Sequence, residues 1–131
     1  IDNKQVYYQL LRDVTEKQNW QDWILFMTTA INSTAILTMK KIRGILRLKK
    51  EMENESMKIL EKFNKRHELY DLMFTIPYLK IDLVVNKGIA HRQTASLYLR
   101  QLDAAGILKS RKMGRTTYYI NHRLLELITG R

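Results

Sequence analysis

With 131 residues, 45% of them apolar and 27% charged, the chain has room for one compact domain, or for a small domain with a helical extension. It has no cysteine, which excludes disulfides, thiol nucleophiles and thiolate metal sites and fits a reducing, cytoplasmic setting. The formal net charge of +10 is uneven: residues 1–61 carry ten Lys/Arg against eight Asp/Glu, residues 62–131 thirteen against five. A basic second half points to a polyanion partner.

The chain opens on Ile1 with no signal-peptide pattern, and is expected to be a fragment or processed form of a longer polypeptide. In "KQVYYQLLRDVTEKQN", Val6, Leu10 and Val14, with Tyr7 and Leu11 beside them, recur at helical spacing. That predicts a short amphipathic helix ending near Asn19, with Asn19 or Asp22 placed to cap the next. The stretch Trp23–Met39 carries no charge, but it holds four threonines, a serine and an asparagine, and it stops at Lys40. A bilayer span needs about 20 mostly apolar residues, so a helix buried in protein is expected here and no membrane contact. Trp20 and Trp23 are expected to anchor a core.

Apolar or small residues then recur every seven positions at Ile24, Ile31, Thr38, Ile45, Met52 and Ile59, flanked by Met27, Ala35, Ile42, Leu48 and Phe63. The pattern predicts one long helix, or two broken near Glu53–Ser56. An unbroken helix of that length outruns one small core and needs a partner, which makes a homodimer through the N-terminal helices the expected assembly.

The second half changes character. "RHELYDLMFTIP" is a helix with Leu69, Leu72, Met73 and Ile76 on one face, halted at Pro77. "KIDLVVNKG" gives a second short helix through Ile81, Val84 and Val85, stopped at Gly88. "HRQTASLYLRQLDAAG" gives a third, and "ILKSRKMGRTTYYI" reads as two strands about a turn at Gly114. "HRLLELI" closes with a helical turn or two. The order helix, helix, turn, helix, strand, turn, strand is that of a winged helix-turn-helix. The expected fold is mainly α: a long-helix region at 1–63, then a winged helix-turn-helix with a two-stranded wing at 64–131.

On a helical wheel for the third helix, Ala95, Leu99 and Leu102 fall on one face with Tyr98 at its edge. Gln93, Ser96, Leu97 and Arg100 lie opposite, with Arg92 near the helix start. Arg and Gln have planar heads that bond two base-edge atoms at once, and Thr94 and Ser96 are suited to phosphate oxygens. Lys109, Arg111, Lys112 and Arg115 cluster around Gly114, the composition of a wing that lies on a sugar-phosphate backbone. The residues alone thus favour double-stranded DNA as partner and transcriptional regulation as role.

"HRQTASLYLRQLDAAGILKSRKMGRTTYYINHRLLELI" resembles the C-terminal winged helix of bacterial Fic-family proteins. The shared features are an Arg-Gln-Thr-Ala run, a Tyr-Leu pair, a Leu-x-x-x-Gly-Ile-Leu stop, and a wing reading Gly-Arg then Tyr-Tyr-Ile-Asn. "YYQLLRDVTEKQNWQDWILFMTTAI" is similar to the tail that follows the catalytic Fic core. Two positions depart from the pattern. His91 stands where the family usually has a capping Ser, and Leu97 where a basic or polar residue is common.

The family's catalytic signature, a His-Pro-Phe run followed by Gly-Asn-Gly-Arg, does not occur in the chain, so transfer of AMP to target hydroxyls is not carried over. His67, His91 and His122 show no metal spacing, there is no Gly-rich phosphate loop, and Glu51, Glu53 and Glu55 are expected to point apart around their helix. No catalytic residue, metal or cofactor is therefore assigned. The alternative to DNA is a protein-interaction or regulatory module of a Fic-type AMP transferase, its winged helix docked on the catalytic core with Leu97 at the contact.

Overall fold

Residues 4–130 are described by a computed structural model of the chain, which packs as two units, Ile1–Lys40 and Lys41–Arg131. The first unit is built from α1 (Lys4–Lys17) and the start of α2 (Trp20–Glu55). Gln18, with φ of 54°, and Asn19 reverse the chain between them, and the Asn19 Nδ2 donates to Asp22 Oδ2 at 2.8 Å. Tyr7 packs on Trp23 with ring centroids 5.4 Å apart. Leu10, Val14, Trp23, Phe26 and Met27 reach only half-burial, and α1 has no buried residue. Trp20 is 57% exposed, so neither tryptophan is the core anchor expected from its residue type.

α2 is a single helix of 36 residues that stops inside the Glu53–Ser56 segment, so the sevenfold pattern runs on past the helix end at Ile59. Ser56 is fully buried there. Its Oγ donates to the Met52 carbonyl at 2.7 Å and lies 2.9 Å from the Tyr70 hydroxyl, which supplies its own proton to complete the pair. Leu48, Met52, Leu60 and Phe63 are buried in one cluster with the residues that follow. The division between the two compact units lies at Lys40/Lys41.

The rest of the second unit follows the expected order. α3 (Arg66–Thr75) buries Leu69, Tyr70, Leu72 and Met73 and ends two residues before Pro77, whose ring disfavours helix in its predecessor. α4 (Ile81–Asn86) and α5 (Arg92–Ala104) form the helix-turn-helix. α5 closes in a Schellman motif: the Ile107 N–H donates to the Leu102 carbonyl and the Gly106 N–H to Asp103, with Gly106 at φ of 78°. That is the physical content of "DAAGIL". The wing strands β2 (Lys109–Met113) and β3 (Thr116–Ile120) turn at Gly114, whose φ of 65° suits a two-residue hairpin.

A third strand was not expected. Tyr78–Leu79 after Pro77, β1, pairs antiparallel with β3, Tyr78 opposite Ile120 and Leu79 opposite Tyr119, giving a sheet of order β1-β3-β2. Two residues show no period of two, and only the tertiary ladder defines them as strand. α6 (His122–Thr129) then packs back on α2: a Cβ built at Gly44 would lie 3.3 Å from Leu127, and Arg123 meets Glu55 at 2.6 Å and Glu51 at 3.6 Å. Glu51 and Glu55, four apart, share a helix face and converge on one guanidinium, contrary to the expectation that these carboxylates point apart.

Asn121 joins these parts. It is 1% exposed; its Nδ2 donates to the Met73 carbonyl at 3.1 Å, its Oδ1 accepts from the Leu124 N–H, and its own N–H donates to the Pro77 carbonyl at 2.8 Å. Asn121→Ala removes the α6 cap and leaves the Met73 carbonyl unpaired, for an expected loss of about 2–4 kcal/mol. Urea denaturation at constant m-value measures it.

Candidate functional site

The α4–α5 turn and the wing present the surface on which the sequence placed its site residues. α5 is held from behind by Ala95, Leu99 and Leu102, all buried, and by Tyr98, whose ring stacks on Phe63 at 4.8 Å and 25°. This is the face assignment the helical wheel predicts. His91 occupies the N-cap position with extended backbone, and its side chain makes no capping bond. The departure from Ser thus leaves the first turn without a side-chain cap.

The opposite face is less uniform than its composition suggests. Gln93 is exposed, whereas Thr94 and Ser96 are half-buried. Arg100 is exposed and its Nε donates to the Ser96 carbonyl at 3.3 Å, which lays the guanidinium along its own helix. Arg92 is paired with Asp82 in the first turn of α4, so one of its two outer nitrogens is already engaged. Between Gln93 and Arg100 stands Leu97, 47% exposed. The middle of the face is therefore apolar.

The wing is the more open part. Every residue of β2 is exposed, as is Arg115. None of Lys109, Arg111, Lys112 and Arg115 is in an ion pair among the described residues. The strand is fastened to α5 by Asp103, whose carboxylate accepts from the Ser110 N–H at 3.0 Å and from the Ser110 hydroxyl at 2.7 Å. Neither Asp82 nor Asp103 is prominent in the sequence, because each finds its partner on a different element across a turn.

The charge divides with the fold. Unit Ile1–Lys40 has four Lys/Arg and four Asp/Glu, net zero; unit Lys41–Arg131 has nineteen against nine and so carries the whole +10. Among the described residues no helix is long and apolar enough to cross a membrane, and no His/Asp/Glu cluster has the makings of a metal site.

The family model for the C-terminal domain of SoFic-like protein adenylyltransferases matches residues 48–124. The chain belongs to that family. The match runs from Leu48, the first core residue of α2, to Leu124, the core residue of α6, and so takes in the winged helix together with the end of α2 that packs on it. The SoFic-like domain thus begins before the helix-turn-helix, as the burial of Leu48 and Met52 requires.

Tyr119, opposite Ser110 in the β2–β3 ladder, lies beneath the Asp103 fastening. Burial raises its phenol above the ordinary value of 10.0; the Asp103 charge pushes the same way and Arg100 opposes it. The folded state therefore binds this proton more tightly than the unfolded chain does. That contribution is complete below pH 10 and is lost as pH rises through the folded value. Tyr119→Phe is expected to flatten the decline of the urea midpoint above pH 10.

Proposed function

We propose that the chain is the regulatory, protein-docking C-terminal part of a Fic-type adenylyltransferase, and that its first unit seats on the enzyme's catalytic core. One observation carries this reading: every residue of α2 from Thr28 to Lys40 is exposed, including Ile31 at 65%, Ile36 at 49%, Leu37 at 62% and Met39 at 52%. A helix rich in Thr, Ile, Ser and Asn has little intrinsic stability, and most helical stability in proteins comes from packing an apolar face. So many exposed aliphatic side chains on one helix fit an interaction site. Its zero net charge suits a neutral protein partner, and residues 4–40 precede the matched C-terminal domain, on the side where the family's catalytic part belongs. The chain has no His-Pro-Phe run, so no transfer step is assigned to it.

Isothermal titration of the complete chain against the catalytic core of a SoFic-like adenylyltransferase tests this. Binding is expected that changes little between 50 and 200 mM salt and weakens about tenfold or more in Ile24→Asp/Ile31→Asp, since each buried aliphatic side chain is worth about 1.5–3 kcal/mol. Absence of binding would refute the reading, as would a stable homodimer of the chain alone that the same double variant dissociates.

A second reading is favoured by a separate observation, the confinement of the whole +10 to the winged-helix unit and the unpaired wing. In it, Gln93, Ser96 and Arg100, with Arg92 and Thr94 at the helix start, face the major groove of double-stranded DNA. Lys109, Arg111, Lys112 and Arg115 hold the backbone, and the module acts on transcription. Lys112→Ala is then expected to weaken all duplex sequences alike and to reduce the log–log salt slope by about 0.9. No gel retardation at 50 mM salt would end this reading, on a scale where about six to ten phosphate contacts change affinity by about 10³–10⁵ up to 200 mM.

A further inference from the structure

We infer that Asp82 is a positioning residue that sets how selectively the winged helix reads duplex DNA, an inference that rests on the second reading above. Asp82 lies in the first turn of α4 and Arg92 opens α5, so their ion pair closes across the helix-turn-helix. It is the one ion pair on this face among the described residues; Arg100 and the four wing cations have none.

Two physical consequences follow. The first is geometric. The carboxylate holds Arg92 through Nη2, and the other edge of the planar guanidinium stays open. Both side chains are well exposed, at 66% and 54%, so a free Arg92 would sample many rotamers. Tethered, it offers its fork in one plane, which bidentate reading of a guanine edge requires and a point contact to phosphate does not. The second is electrostatic. An arginine already neutralised by a neighbour adds little to counterion release, so Arg92 in the wild-type chain contributes to discrimination between sequences and almost nothing to the salt dependence. Asp82 thereby trades non-specific affinity for selectivity on a surface otherwise dominated by unpaired cations.

Asp82→Asn keeps the shape and removes the charge. Binding of the complete chain is measured from 50 to 200 mM salt on two duplexes: one selected by the wild-type chain from a random pool, and one unselected. The variant is expected to bind the unselected duplex several-fold more tightly at 50 mM. Its salt slope should steepen by about 0.9, the value for one more phosphate contact, and its ratio of selected to unselected binding should fall about tenfold. Asp82→Glu should restore the wild-type slope, and in an Arg92→Ala background Asp82→Asn should change neither slope nor ratio. A purely structural role would move neither quantity. If the wild-type chain binds and Asp82→Asn matches it in slope and ratio, this inference fails alone; if the wild-type chain retards no duplex at 50 mM, the duplex reading fails and this inference with it.

Discussion

The second unit is organised around one buried amide. Asn121 is almost inaccessible to water, and a primary amide in that position must find partners for its donors and acceptor or cost about 1–3 kcal/mol. The amide finds them on the last turn of α3 through Met73 and the first turn of α6 through Leu124, while the residue's backbone N–H donates to Pro77 in the chain after α3. Those bonds fix where β3 ends and α6 begins, and so how the wing hairpin leaves the core. α6 in turn reaches α2 through Leu127 over Gly44 and Arg123 on Glu51 and Glu55. The position of the wing is therefore coupled to the part of α2 that lies inside the second unit.

The surfaces left over are of two kinds. The first unit is neutral and exposes aliphatic side chains along α2; the second carries every excess positive charge, with four exposed cations on the wing. A neutral apolar surface gains from burial against protein and nothing from a polyanion, while unpaired surface cations gain from releasing phosphate counterions. The α5 face lies between these cases. Its centre is Leu97, and of its two arginines one is committed to Asp82 and the other rests on its own helix.

How much of this was legible in the sequence depends on the range of the interaction. α5 was readable to the residue: Ala95, Leu99 and Leu102 repeat at helical spacing, and Gly106 before an apolar pair announces the turn that ends it. The wing was equally plain from Gly114 and the alternation in "TTYYI". Two features depart from what residue type suggests. Tryptophan usually has a core, but α1 is too short and polar to cover Trp20 and Trp23. Glu51 and Glu55 share a helix face through their spacing of four, and only α6 supplies the guanidinium between them. That Leu48 and Met52 pack forward into the winged helix is likewise set by tertiary contact and not by any short window.

Hydrophobic period, turn residues and charge are properties of short windows, and by themselves they determined the helix-turn-helix order, the wing and its basic character. Pairings between windows are different, because their cost and benefit exist only once the chain is folded. Arg92 with Asp82, Asp103 with Ser110, Asn121 with Met73 and the two-residue strand Tyr78–Leu79 all join positions with no shared period. The sequence alone counted the charged groups offered to a partner. The tertiary structure decided how each is presented, since an arginine held by a neighbouring carboxylate offers a partner one edge only, and a side chain laid along its own helix projects less.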